Sequence, residues 1–193
     1  MKILVTGFSS FPGVPVNPCE EVITWIAQNH SSTDVATGIL PVSYTRSVLK
    51  LRQYVNLYSP NVLIHFGVSN RAMGLKLELM GYNARHAQIP DVDGMICSRE
   101  VIDTSLNYDF AQVTNWKIDS MFEYLKTHCQ MEIEKSNDPG RYVCNNLYWH
   151  SMKKHPRIPT LFVHIPPIHE HNRLSIIQAV EKMLVWTLTS YNE

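Results

Sequence analysis

Residues 144–164 read Cys-Asn-Asn-Leu-Tyr-Trp-His-Ser-Met-Lys-Lys-His-Pro-Arg-Ile-Pro-Thr-Leu-Phe-Val-His, and this stretch decides the fold. Its first part has helical spacing: Cys144 shares a face with Leu147, Tyr148 and Ser151, and the pattern predicts a helix over 144–154. Its last part, 160–164, is a short apolar run that predicts a buried strand ending at His164. A helix handing over to an apolar strand is the unit that recurs along the chain.

Working outward, strands are predicted over 2–6, 37–41 and 61–66, with helices over 17–28, 45–58, 116–128 and 174–188. The helix at 17 carries an N-terminal signature. Asn17 suits the N-cap, Pro18 the first helical position, and Glu20 can close a capping box. Leu75, Leu77 and Leu79 alternate with Lys76, Glu78 and Met80, which predicts one strand with two different faces. Residues 90–94 read as a turn and 132–135 as a short strand. Alternating strands and helices predict an α/β fold: a single-domain, open, mainly parallel (mixed) sheet flanked by helices on both faces, spanning 1–193. In such sheets functional groups gather beyond the carboxyl ends of strands, where His164 falls, while Cys144 falls at a helix front.

Composition narrows the function. Lys plus Arg and Asp plus Glu both number 17, so no basic face is implied and a nucleic-acid partner is not expected. No run approaches the roughly 20 apolar residues of a membrane helix, and the start, Met1 to Gly7, is too short in apolar residues for a signal peptide. A cytoplasmic, reducing location is expected, with Cys19, Cys97, Cys129 and Cys144 as free thiols, and their spacing fits no zinc site. Gly7-Phe8-Ser9-Ser10-Phe11-Pro12-Gly13 follows the first strand but is not a dinucleotide fingerprint. Two phenylalanines there are better suited to walling an apolar pocket.

Cys19 and Cys144 both lie near predicted helix starts, where the dipole favours a thiolate; Cys97 and Cys129 do not. Taken singly, Cys144 fits core packing as well as catalysis, and His164 fits a hydrogen-bonded position at the edge of the sheet. Glu78 fits the solvent face of an edge strand. His169 and His171 flank Glu170 without a third fixed ligand and read as solvated loop residues.

The ordered set of motifs is more specific than any member. Val5-Thr6-Gly7-Phe8 with Phe11, Gly13 and Asn17-Pro18 is followed by His65-Phe66-Gly67-Val68. Next come Glu78 with Asn83, Ile89-Pro90-Asp91 and Gly94, then Gly140-Arg141-Tyr142-Val143-Cys144-Asn145, then Phe162-Val163-His164-Ile165-Pro166. In order and spacing this resembles the pyroglutamyl peptidase type I family of cysteine peptidases. The resemblance implies a Cys144, His164 and Glu78 triad acting through a thioester. It also implies that Phe8, Phe11, Asn17, Val68, Ile89, Tyr142 and Val143 surround the pyroglutamyl ring. Peptides with an N-terminal pyroglutamate are the implied partners, with neither metal nor organic cofactor, and a homo-oligomer is compatible with it.

The chain also departs from the family pattern. Ser10 and Pro12 alter the loop after the first strand, Pro139 stands where a small residue is usual, and residues 98–117 are short. Gln88 occupies the place of an Arg before Ile-Pro-Asp, with Arg85 three residues earlier as the nearest substitute. These changes leave two alternatives open: a weakly active or non-catalytic relative that binds pyroglutamyl termini, and another small-amide hydrolase using the same three residues.

Overall fold

Residues 1–11, 17–30 and 34–191 are described by the computed structural model of the chain. In chain order the elements are β1 (Ile3–Phe8), α1 (Pro18–Asn29), β2 (Val35–Leu40), α2 (Arg46–Tyr58), β3 (Val62–Val68), β4 (Leu75–Glu78) and β5 (Met80–Tyr82). Then follow β6 (Ala111–Val113), α3 (Ile118–His128), β7 (Ile133–Ser136), α4 (Val143–Lys154), β8 (Thr160–Ile165) and α5 (Glu170–Ser190).

Six strands form the main sheet in the order β2-β1-β3-β8-β4-β7. Every neighbouring pair is parallel except β4 with β8, which is antiparallel. The predicted α/β class, with its mainly parallel mixed sheet, is therefore the observed one.

Strand periodicity sorts side chains onto two faces. Ile3 and Val5 of β1, Ile64 and Phe66 of β3, Leu75 and Leu77 of β4, and Leu161 and Val163 of β8 pack in one core with α1, α3 and α5. Leu4 of β1, Leu63 of β3 and Phe162 of β8 face the opposite core, built with α2 and α4. The alternation places Gly67, Glu78 and His164 on this second face, under the start of α4.

Local signals explain the helix boundaries. Asn17 caps α1 by accepting from the Cys19 backbone N–H at 3.0 Å, with Pro18 in the first turn. The expected capping box does not form. The Glu20 carboxylate instead accepts from the Ser10 backbone N–H at 2.9 Å and from the Ser10 hydroxyl, tying the loop after β1 to the helix. Pro12 and Gly13 of that loop lie outside the described residues.

The strand expected over Leu75 to Met80 is interrupted after Glu78. Chain continuation turns away as β5, which pairs antiparallel with β6 in a separate two-stranded ribbon, and sequence reading placed no strand at β6. Helix α5 starts a turn earlier than expected. His169 is its N-cap, and its backbone N–H donates to Asn172 Oδ1 at 2.7 Å, so His169 and His171 belong to a helix start and not to a loop. No helix among the described residues is long and apolar enough to cross a membrane.

Candidate active site

Glu78 is fully buried, because β4 lies inside the sheet between β8 and β7 and not at its edge. In the antiparallel β4–β8 register Glu78 pairs with Phe162 and Lys76 with His164. Glu78 and His164 are therefore diagonal neighbours on one face, a spacing that long side chains can bridge. His164 Nδ1 and Glu78 Oε1 lie 2.8 Å apart.

On the other side of β8, His164 is directly opposite Gly67 of β3. Glycine is required there by space. A Cβ on Gly67 would lie 2.9 Å from Cys144 Sγ and 2.8 Å from the Phe162 ring. The missing side chain makes room for the thiol to descend from the first turn of α4 toward the sheet.

Burial alone would lower the His164 pKa, but hydrogen bonding to Cys144 and Glu78, together with their charges, outweighs it and raises the value to about 9. The imidazolium is thus the favoured form near neutrality. Cys144 is the second residue of α4, and the N-cap, Tyr142, makes no side-chain capping bond. The first-turn N–H groups and the positive end of the helix dipole therefore face the thiol region. Cys19 contrasts with it: burial pushes its thiol far above the ordinary range despite its helix-start position. Burial also raises Cys97 and Cys129.

A small apolar pocket of about 60 Å³ opens beside Cys144. Phe8, Phe11, Asn17, Val42, Val68, Tyr142 and Val143 line it. Val42 escaped sequence reading because it follows β2 in an ordinary apolar context. Ile89 is not among the lining residues; it is half exposed on a neighbouring loop. The next residue reaches the site indirectly, since Tyr142 donates its hydroxyl to the Pro90 carbonyl at 2.8 Å. Asn17 has much of its hydrogen-bonding capacity committed, to Cys19 N–H and to the Ser9 carbonyl. Among the described residues, one amide N–H and one lone pair of its side chain have no partner.

Buried asparagines lock the start of α4, and sequence reading gave them no such role. Asn145 accepts from Tyr82 N–H at 2.8 Å and donates to the Tyr82 and Ala84 carbonyls at 2.9 and 2.8 Å. Asn146 donates to the Tyr44 carbonyl and accepts from Arg85 Nε at 2.7 Å. Arg85, the nearest substitute for an Arg at position 88, is thus directed to Asn146 and over the Tyr44 ring. Gln88 is exposed. Asp91 is structural: it accepts from Tyr44, Asp93 and Met95 N–H groups and fastens its loop to the chain after β2.

The same α/β architecture is that of solved peptidases. The structure superposes on pyroglutamyl peptidase I of Bacillus amyloliquefaciens with a TM-score of 0.85 at 26% identity, covering 95% of each chain. A mutant pyrrolidone carboxyl peptidase of Pyrococcus furiosus gives 0.83 at 24% identity, covering 97% of this chain and 98% of that one, a likeness of fold.

Sequence comparison is more specific. A model of the pyroglutamyl peptidase family matches residues 1–187, and the chain belongs to that family of peptidases. It is 27% identical to a pyrrolidone-carboxylate peptidase of Thermosipho melanesiensis over 98% of this chain and 94% of that protein. It is 30% identical to pyrrolidone-carboxylate peptidase 1 of Streptococcus pneumoniae over 88% and 80% of the two lengths.

Proposed function

We propose that the protein hydrolyses the amide bond after an N-terminal pyroglutamyl residue, with Cys144 as nucleophile, His164 as general base and acid, and Glu78 as the group that positions His164. The observation that carries this reading is the meeting of a helix-start thiol, an imidazole bonded to a buried carboxylate at 2.8 Å, and a small apolar pocket at one point above the sheet.

The proton shared by the Cys144–His164 pair rests on His164, and Sγ attacks the carbonyl carbon of the pyroglutamyl residue. First-turn N–H groups of α4 stabilise the tetrahedral oxyanion. His164 returns its proton to the leaving amine, the C–N bond breaks and a thioester remains. Water then attacks the thioester with His164 as base, releasing pyroglutamate and the thiol. Glu78 holds one tautomer of His164 and stabilises its charged form, as its pKa of about 9 indicates.

Specificity follows from desolvation. The pyroglutamyl lactam carries no ammonium group. A free N-terminal amine entering a pocket walled by Phe8, Phe11 and Val42 would lose water without gaining a counter-charge.

The test compares a pyroglutamyl fluorogenic amide with its prolyl analogue. The native protein is expected to cleave the first and not the second, and Cys144→Ala to cleave neither, while Cys19→Ala, Cys97→Ala and Cys129→Ala stay active. Near-native turnover by Cys144→Ala would sink the mechanism.

A further inference from the structure

Cys144 opens onto a second space besides the apolar pocket. A groove of about 520 Å³ shares Val68, Tyr142 and Cys144 with that pocket and also reaches His164. With the pyroglutamyl ring in the pocket and its carbonyl at Cys144, the leaving part of the peptide has this groove to occupy. Its character differs from the pocket, because Asn70, Arg71, Lys76, Ser136 and Asp138 contribute to its walls.

Most of the charge in the groove is already matched. Lys76 Nζ is 2.8 Å from Glu134 Oε1, and Asp138 Oδ1 receives Arg141 Nη1 at 2.6 Å. Glu78 is bonded to His164. Arg71 is exposed and forms no salt bridge among the described residues; only its backbone N–H is engaged, by the Ser69 hydroxyl. The residual charge of the leaving-side groove is therefore a single guanidinium, a planar fork suited to bidentate binding of a carboxylate.

We propose that Arg71 is a specificity-determining residue that recognises a carboxylate just beyond the scissile bond. This rests on the pyroglutamyl peptidase reading of the site. Successive residues advance by only roughly 3.3–3.6 Å, so the first residue after the scissile bond lies next to Cys144, in the groove that Arg71 also lines. Two chemical sources satisfy it: the C-terminal carboxylate of a pyroglutamyl dipeptide, and an acidic side chain directly after the pyroglutamyl residue. Because Arg71 is exposed, the preference is modest and screened by salt.

The experiment measures kcat/KM for two substrate pairs. Pyroglutamyl-alanine is compared with pyroglutamyl-alanine amide, and pyroglutamyl-glutamate amide with pyroglutamyl-glutamine amide. The native enzyme is expected to favour the anionic member of at least one pair by about fivefold at low salt, and the pair that responds identifies the source. In Arg71→Gln that ratio falls toward one, Arg71→Lys retains part of it, and 1 M NaCl abolishes it in the native enzyme. Equal cleavage within both pairs, or a native ratio unchanged in Arg71→Gln, overturns the proposal while leaving the peptidase reading intact. Failure of the native enzyme to cleave all four substrates and the neutral fluorogenic amide overturns the peptidase reading and this proposal with it.

Discussion

Glu78 and His164 are 86 residues apart in the chain, yet their side chains meet at 2.8 Å because β4 runs antiparallel to β8. The contact places a buried carboxylate against an imidazole, and with Cys144 it reverses the effect of burial on His164. A group whose pKa is raised keeps its proton below that pKa and loses it as pH rises through it.

The alkaline limb of kcat/KM is therefore expected near pH 9 in the native enzyme. Glu78→Gln removes one of the interactions that raise the pKa and leaves burial to lower it, so the limb should move to lower pH. His164→Ala should cost roughly 10²–10⁴ in rate and more than Glu78→Gln, since His164 moves protons in both half-reactions. A pH–rate profile for native and Glu78→Gln enzymes checks the shift, and a limb that stays in place would refute the pairing.

Gly67→Ala should impair chemistry without removing any polar group. The added methyl would meet Cys144 Sγ at 2.9 Å and the Phe162 ring at 2.8 Å, so the thiol must move. A displacement near 1 Å can cost on the order of a hundredfold in kcat. Alkylation of Cys144 should slow in parallel. Normal turnover would show that the thiol reacts from another rotamer.

Phe11→Ala should act on binding. An aromatic wall packs similarly against the ground state and the transition state, so its loss raises KM with little change in kcat. A tenfold rise is about 1.4 kcal/mol, within reach of the roughly 1.5–3 kcal/mol of a fully buried phenylalanine. Steady-state kinetics on a pyroglutamyl amide separate the two parameters, and an unchanged KM removes Phe11 from the pocket.

His65 predicts acid sensitivity away from the site. Its Nε2 bonds Ser151 Oγ at 2.9 Å and its Nδ1 bonds Thr6 Oγ1 at 2.6 Å. Ser151 gives its own proton to the Leu147 carbonyl, so Nε2 donates and Nδ1 accepts from Thr6, which fixes the neutral tautomer. Burial lowers the His65 pKa from 6.5 to about 3. Between those values the unfolded chain binds the extra proton, so this group's contribution to stability is complete above pH 6.5 and declines as pH falls toward 3. Urea midpoints measured over that window should fall with pH, and His65→Asn should flatten the dependence. An equal slope in both proteins would place its origin elsewhere.

Legibility in the sequence varied from residue to residue, for physical reasons. Helix α1 was readable because Asn17 and Pro18 act on their own neighbours, and their chemistry needs nothing distant. Glu20 misled, because a carboxylate in a first turn can close a capping box or reach a loop, and the nearby Ser10 hydroxyl and N–H decided the matter. Ile89 followed a motif whose next residue holds the pocket wall through a backbone carbonyl, a role no side-chain pattern reveals.

Sequence alone determined the alternation of strands and helices, the α/β class, and the placing of Cys144 at a helix start and His164 at a strand end. All of these rest on local spacing, which backbone geometry converts directly into faces and ends. Only the tertiary structure decided that β4 enters the sheet antiparallel between β8 and β7, burying a carboxylate that spacing equally allowed on a solvated edge. It alone set Gly67 opposite His164 and turned Asn145 and Asn146 into anchors for α4. Strand order and direction are fixed by hydrogen bonds and packing between segments far apart in the chain, and periodicity records which face a residue takes without recording what it will meet there.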